Sequence, residues 1–279
     1  MTPLKPSPHV PRQDPAGYPE VHPPRAGRDG AGTLVFLHGG NVGNWMWDPQ
    51  VQSFADHQVL TPHLPGFGAR VDEDWEGLDS AADDVAAFIA DESANGTVHL
   101  VGLSLGAVVG LRVLARHPEL VQSALVSGAV VDGVGAAVRA AAALQLRLWD
   151  SEWFWRLQAS AFGIPEDGRR LYTDHGLSTR ADTMRAMLDE VYAGGLPAGL
   201  SGYAGPLLAV AGQREPKLVA RGFPALHREL PQAQFRLAPG MHHAWSIEDP
   251  LLFNSMVRAW AVHGTVHPRL LPAPGTNNS

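Results

Sequence analysis

Six short apolar segments recur along the chain, and most of them show no alternation between apolar and polar residues. Strands covered by helices on both faces have this composition, because neither face meets water. Segments with helical character lie between them, and this alternation favours right-handed crossovers and a parallel sheet. The predicted strands span residues 33–37, 58–61, 97–102, 123–127, 207–211 and 234–237. The sequence therefore predicts an α/β fold with a mostly parallel central sheet of about six strands, flanked by helices.

Three other regions depart from this rhythm. Residues 1–31 contain eight prolines, and a backbone with few N–H donors and restricted φ angles favours an extended, poorly ordered arm. Residues 265–279 have a similar composition and predict a flexible tail. Residues 133–200 hold no convincing strand and predict a helical insertion, either packed by its own aromatic residues or placed as a lid over a pocket. The α/β core is then residues 32–132 and 201–264.

The composition excludes several classes of function. The 279 residues carry a formal net charge of −7, and a nucleic-acid-binding protein needs a basic patch instead. The chain has no cysteine, so disulfides, thiolate metal sites and cysteine nucleophiles are excluded. We see no secretory signal and no apolar run long enough to span a bilayer. We therefore expect a soluble cytoplasmic protein with neither a nucleic-acid nor a membrane partner.

The segment VGLSLG, residues 101–106, places a serine between a predicted strand and a predicted helix. Gly102 and Gly106 lie two positions on either side of Ser104. A sharp strand-to-helix turn needs such small neighbours, because the serine backbone adopts a strained conformation there. The turn would present the hydroxyl at the carboxyl edge of the sheet, beside the positive end of the helix. This arrangement predicts a nucleophilic serine.

A serine hydroxyl is a weak nucleophile unless a base removes its proton. The chain has thirteen histidines, and most lie in the termini or in predicted helices and strands. His242 and His243 lie instead between the last predicted strand and the last predicted helix. This position is at the same edge of the sheet as Ser104, so one of these two is the expected base.

Four motifs together resemble those of the α/β-hydrolase family, in its single-domain form with a helical cap. The resemblance runs from about residue 33 to residue 263. Its motifs are LVFLHGG at 34–40 followed by WMWDP at 45–49, LPGFG at 64–68, the turn around Ser104, and HAWSIEDP at 243–250. The family order along the chain is nucleophile, acid, histidine.

The resemblance implies a role for each catalytic position. Ser104 falls on the nucleophile, and His243 rather than His242 falls on the histidine. Glu215 stands where the family usually has an aspartate, in the loop after the strand at 207–211. Asp132, after the strand that begins at residue 123, is the alternative acid, because some relatives place theirs there.

The resemblance also implies an oxyanion hole, which needs preorganised N–H donors. The backbone N–H groups of Leu105 and Gly40 are the expected donors, and Asn41 is an alternative or additional one. Aromatic residues suggest an apolar substrate pocket. The expected pocket residues are Trp45, Trp149, Trp153 and Trp245.

These expectations define a serine hydrolase that cleaves a small, apolar carboxylic ester or lactone through an acyl-enzyme, without a cofactor. No metal-ligand motif such as HExxH occurs, so no metal site is expected. The expected partner is a small-molecule substrate, and the protein is expected to be a monomer or homodimer. Three alternatives stay open: a hydrolase of C–C bonds in β-diketone-like substrates, a lyase or perhydrolase on the same scaffold, and a non-catalytic ligand receptor.

Overall fold

The computed structural model describes residues 17–25, 32–161, 164 and 166–274. Within these ranges eight strands form one sheet, in the order β1-β3-β2-β4-β5-β6-β7-β8. The strands are β1 (Val21–His22), β2 (Thr33–Leu37), β3 (Gln58–Leu60), β4 (Val98–Leu103), β5 (Val121–Ser127), β6 (Leu207–Gly212), β7 (Gln234–Ala238) and β8 (Leu271–Pro272). The neighbours from β3 to β7 pair in parallel. These six central strands are the six that the apolar segments predict, so the α/β class and the mostly parallel sheet are confirmed.

The two edge strands were not predicted. β1 pairs antiparallel with β3, and β8 pairs antiparallel with β7. Each has only two residues, which is too short for a recognisable apolar pattern. Proline is tolerated at a sheet edge because an outward-facing position needs no N–H donor, and β8 itself ends at Pro272. The sheet therefore has eight strands rather than about six.

These edge strands also change the description of the two termini. Tyr18 and Pro19 of the predicted arm accept hydrogen bonds through their carbonyl oxygens from Asn44 of the core, and the Tyr18 hydroxyl donates to Asp48. Within the predicted tail, Leu270 and Ala273 are buried. Residues 17–25 and 265–274 are therefore packed on the core. The remaining parts of the predicted arm and tail, residues 1–16, 26–31 and 275–279, lie outside the described residues.

Helices cover both faces of the sheet and bury its apolar side chains. α3 begins directly after β4 and packs against β4, β5 and α2. The helices are α1 (Asp48–Ser53), α2 (Leu78–Glu92), α3 (Leu105–Arg116), α4 (Ala136–Leu146), α5 (Glu152–Ala161), α6 (Glu166–Ser178), α7 (Ala181–Ala193), α8 (Leu218–Arg221), α9 (Phe223–Glu229), α10 (Trp245–Glu248) and α11 (Pro250–Val257). None of the helices in the described ranges is long and apolar enough to cross a membrane.

The stretch between β5 and β6 contains four helices, α4 to α7, and no strand in its described part. We call residues 133–200 the helical segment. Glu190 on α7 fixes it to the core, because its carboxylate accepts hydrogen bonds from the Trp75 indole at 3.1 Å and from the backbone N–H of Leu78 at 2.9 Å. The helical segment therefore lies against the loop that precedes α2.

Candidate active site

Ser104 occupies the turn between β4 and α3 in a strained backbone conformation. Its φ is 56° and its ψ is −115°. A non-glycine residue rarely adopts a positive φ, because its Cβ crowds the neighbouring carbonyl oxygen. The backbone N–H of Ser104 donates to the carbonyl oxygen of Ser127 at 2.8 Å, which ties the turn to the end of β5. Among the described residues, Asn41 is the only other non-glycine residue with positive φ.

The turn requires glycine at residues 102 and 106, because a side chain at either position would collide with backbone atoms. A Cβ on Gly102 would lie 2.4 Å from the carbonyl oxygen of Gly106. A Cβ on Gly106 would lie 2.1 Å from the carbonyl oxygen of Leu37 and 2.7 Å from that of His38. The colliding atoms belong to backbone, which cannot rotate away as a side chain can. Glycine at both positions therefore lets α3 approach β2 and β4 closely.

Replacing Gly106 by alanine is expected to lower the free energy of unfolding by about 3 kcal/mol or more, because the backbone of β2 or α3 must shift. Gly202→Ala is the matched control, since a Cβ there meets nothing within 4 Å. Urea unfolding of both variants measures the effect. Equal midpoints for the two variants would contradict this account of the turn.

His243 and Glu215 form a hydrogen-bonded pair next to this turn. His243 Nδ1 donates to Glu215 Oε1, and the other carboxylate oxygen accepts from the backbone N–H of Gly212 at 2.9 Å. The Glu215 side chain is 1% exposed and that of His243 is 30% exposed. Gly128, with φ of +70°, leaves room for the pair, because a Cβ there would lie 2.8 Å from His243 Cε1. The carboxylate thus fixes the ring orientation and leaves Nε2 as the ring nitrogen available to another partner.

The loops that carry this pair are joined to each other. The Arg214 backbone N–H donates to the carbonyl oxygen of Met241 at 2.8 Å. His242 faces away and binds Glu248, which accepts from the His242 ring and backbone N–H at 2.9 Å each. Of the two adjacent histidines, His243 lines the cavity next to Ser104, and His242 does not.

Asp132, the alternative acid, lies half-buried just beyond the end of β5. It is not among the residues that line the cavity, whereas Glu215 is. The carboxylate that meets the His243 ring is therefore that of Glu215.

The expected oxyanion donors lie close together at the start of α3. Leu105 is the first residue of α3, and the first N–H groups of a helix have no partners within the helix. A Cβ on Gly40 would lie 3.9 Å from the Leu105 side chain, so the loop after β2 meets the start of α3. Asn41 is buried, and its side-chain amide interacts with the Tyr172 hydroxyl. The N-terminal end of α3 favours negative charge at this point.

These groups open into one cavity of about 380 Å³, whose lining is mostly apolar. Ser104, His243, Glu215, Gly40, Leu105 and Asn41 all line it, and so does Trp149 from the helical segment. The described residues contain no group of three or more His, Asp or Glu side chains arranged to hold a metal ion. The structure thus brings all the sequence-predicted catalytic and oxyanion residues except Asp132 to one cavity.

The other three tryptophans predicted for the pocket lie elsewhere. Trp45 is buried against the His175 ring, with ring centroids 6.1 Å apart. Trp153 is 58% exposed on the outside of α5. Trp245 is fully buried and donates to the Ser127 hydroxyl at 2.9 Å, which ties the His243 loop to the end of β5. The pocket prediction is corrected for these three, because an indole can pack in the core or stand on a surface as readily as it lines a pocket.

Sequence reasoning missed most of the residues that the helical segment contributes to the cavity. Five of them come from α7: Met184, Met187, Leu188, Val191 and Tyr192. Their spacing is that of one helix face, which in the sequence cannot be told from a core-facing stripe. Gln145, Gln158 and Tyr172 gave no signal at all, because a single polar residue on a predicted helix is usually solvated.

Three buried histidines lie where the helical segment meets the core. Burial lowers the pKa of His38 to about 3, and it lowers the pKa of His63 and of His175 to about 4. His175 lies on α6 in the helical segment, and both other rings lie on core loops. His38 Nε2 accepts from the backbone N–H of Leu64, but neither ring nitrogen of His63 has a hydrogen-bond partner among the described residues. All three imidazoles are therefore neutral in the folded protein at neutral pH.

We expect the free energy of unfolding to fall as the pH drops from 6.5, the ordinary histidine pKa, toward about 4. In this window the unfolded chain binds protons that the folded chain does not, so stability is complete above pH 6.5 and is lost below it. The loss for His63 and for His175 is about 2 kcal/mol each by pH 5. Urea midpoints at about pH 7.5 and about pH 5 measure it. His175→Asn should reduce the change in urea midpoint between these two pH values, whereas replacement of the exposed His263 by asparagine should not. An equal change in both variants would contradict the assignment of this pH dependence to His175.

The comparisons with known proteins agree with this fold. The model of the alpha/beta hydrolase family matches residues 34–256. The chain therefore belongs to the alpha/beta hydrolase family, and it is a hydrolase enzyme of that fold. The matched range includes Ser104, Glu215 and His243.

Individual relatives are distant. An AB hydrolase superfamily protein of Gibberella zeae is 32% identical over 101 residues, which is 36% of this chain and 36% of that protein. A proposed carbamate hydrolase, RutD, of Pantoea ananatis is 25% identical over 265 residues, which cover 87% of this chain and 93% of the relative. The solved structure of a thermophilic esterase from Thermogutta terrifontis superimposes with a TM-score of 0.66 at 19% identity, covering 82% of this chain and 88% of that one. The last comparison supports the fold alone.

Proposed function

We propose that this hydrolase is a serine esterase, which cleaves a small carboxylic ester or lactone through an acyl-enzyme. One observation carries the proposal. Ser104, held at φ 56° in the turn between β4 and α3, shares a cavity with the hydrogen-bonded pair of His243 and Glu215. A nucleophile, a base and a carboxylate that orients the base are the parts that acyl transfer needs.

In the proposed acylation step, His243 Nε2 removes the Ser104 proton while Oγ attacks the carbonyl carbon. Glu215 keeps the Nδ1 proton in place and stabilises the imidazolium that forms. The imidazolium then donates its Nε2 proton to the alcohol oxygen, the C–O bond breaks, and the acyl group stays on Ser104. In deacylation, His243 removes a proton from a water molecule that attacks the acyl carbon. The bond to Ser104 Oγ then breaks, Oγ receives the proton from His243, and the carboxylic acid leaves.

The negative charge on the carbonyl oxygen needs donors that are already in position. The backbone N–H groups of Leu105 and Gly40 serve this role in the proposal, with the positive end of α3 behind them. A Cβ on Gly39 would lie 3.5 Å from Ser104 Cβ, so the loop after β2 passes directly beside the nucleophile. The lack of a side chain at residues 39 and 40 lets a substrate reach the backbone.

The substrate binds, in this proposal, beneath the helical segment, which acts as a cap. The largely apolar lining of the cavity favours an apolar acyl or alcohol group. A carbamate ester is a second candidate substrate, because the relative named RutD matches most of the chain. Its carbonyl would react with Ser104 in the same way.

A fluorophosphonate probe tests the mechanism, because it bonds only to an activated serine hydroxyl and releases fluoride. The native protein should be labelled, Ser104→Ala should not, and His243→Ala should be labelled roughly 100-fold more slowly or worse. His242→Ala is the matched control for the neighbouring ring and should be labelled nearly as fast as the native protein. Labelling of Ser104→Ala at the native rate would remove the proposed mechanism.

A further inference from the structure

A methionine of the helical segment lies on the loop that carries the proposed oxyanion donor. A Cβ placed on Gly40 would be 3.0 Å from the terminal methyl group of Met187. Met187 is 4% exposed on α7, and both residues line the cavity. The Met187 methyl group therefore lies in the direction in which a side chain at residue 40 would project.

His243 and Glu215 line the cavity next to Gly128. A Cβ on Gly128 would lie within 3.2 Å of both side chains, so the chain closes tightly behind the pair. During acylation His243 must reach the leaving alcohol oxygen, which places the alcohol part of the substrate on this side. The carbonyl oxygen points at the Leu105 and Gly40 amides. The acyl chain is then left with the remaining part of the lining, which includes Met187.

We propose that Met187 determines acyl specificity: its methyl group restricts the space at the acyl α-carbon to unbranched chains. The inference rests on the proposed function. The substrate class it assigns is esters of carboxylic acids with an α-CH₂ group, and it excludes acids with a quaternary α-carbon. Close-packed sites reject added methyl groups because neither the side chain nor the substrate can be compressed.

Two nitrophenyl esters with the same alcohol, the butyrate and the 2,2-dimethylpropanoate, test the proposal. For each enzyme the butyrate-to-dimethylpropanoate ratio of kcat/KM is measured, so the lower intrinsic reactivity of the branched ester cancels between variants. Met187→Ala should lower this ratio roughly tenfold or more relative to the native protein. Met184→Ala enlarges the same cavity from one turn earlier on α7 and should change the ratio less than threefold.

A second test uses the contact itself. Gly40→Ala should slow butyrate hydrolysis, because its Cβ meets the Met187 methyl group, and adding Met187→Ala should restore at least part of the rate. Rescue of this kind is specific to the contact between the two residues.

The outcomes separate the two proposals. An unchanged ratio in Met187→Ala, or an equal change in Met184→Ala, overturns the role of Met187 while the esterase function stands. Failure of the native protein to hydrolyse any ester overturns the proposed function and this inference with it.

Discussion

Ser104→Ala is expected to lower kcat/KM for a nitrophenyl ester by roughly four to six orders of magnitude. The reason is chemical: without the hydroxyl no acyl-enzyme forms, and only transition-state binding by the cavity and the backbone donors is left. Alanine has the same Cβ as serine, so the turn with φ of 56° should keep its shape. Steady-state kinetics measures the loss, and the butyrate ester is a suitable substrate.

Ser104→Gly provides the control for folding. Glycine also lacks the hydroxyl, but it adopts a positive φ without strain, so this variant should be as inactive as Ser104→Ala and more stable by about 1 kcal/mol. Loss of activity together with a gain in stability would show that the strained serine is kept for chemistry. Ester hydrolysis by either variant at more than about a tenth of the native rate would contradict the assignment of Ser104 as the nucleophile.

Glu215→Gln is expected to lower kcat by roughly three to four orders of magnitude. The replacement is nearly the same shape and can still accept a hydrogen bond from Gly212. It cannot stabilise the imidazolium by charge, and its amide group can hold the wrong tautomer of His243. The value of KM should change little, because the carboxylate acts on the ring and not on the ester.

Asp132→Asn is the matched comparison, since it makes the same chemical change at the alternative acid. We expect less than a threefold effect on kcat, because Asp132 is half-buried and does not line the cavity. A larger loss in Asp132→Asn than in Glu215→Gln would reassign the acid. A similar, small loss in both would mean that neither carboxylate orients the base.

The central strands could be predicted because a short, continuous apolar run in a domain of this size has few possible structures other than a buried strand. The turn at Ser104 could be predicted for a related reason. Backbone contacts require glycine at residues 102 and 106, and glycine at these two positions can be recognised in the sequence. The edge strands β1 and β8 leave no comparable mark. Each pairs through only two residues, and their position depends on where β3 and β7 already lie.

The pocket was harder to predict than the turn. Trp149 lies in the turn before α5 and lines the cavity, whereas Trp153 lies on α5 and is exposed, because local packing decides which way each indole faces. Met187 was recognisable as part of an apolar stripe, but its contact with Gly40 joins residues about 150 positions apart. No local pattern encodes a distance of that kind.

The groups proposed for bond cleavage all come from loops at the ends of the core strands, whereas the segment proposed to act as a cap, residues 133–200, is one continuous stretch of chain. That stretch leaves the sheet after β5 and returns at β6, and these two strands are neighbours that pair in register from Ala124 and Leu207. Both junctions are therefore fixed by the same strand ladder, whatever the length of chain between them. Exchange of this one stretch could redirect which molecules enter, with the bond-breaking groups left as they are.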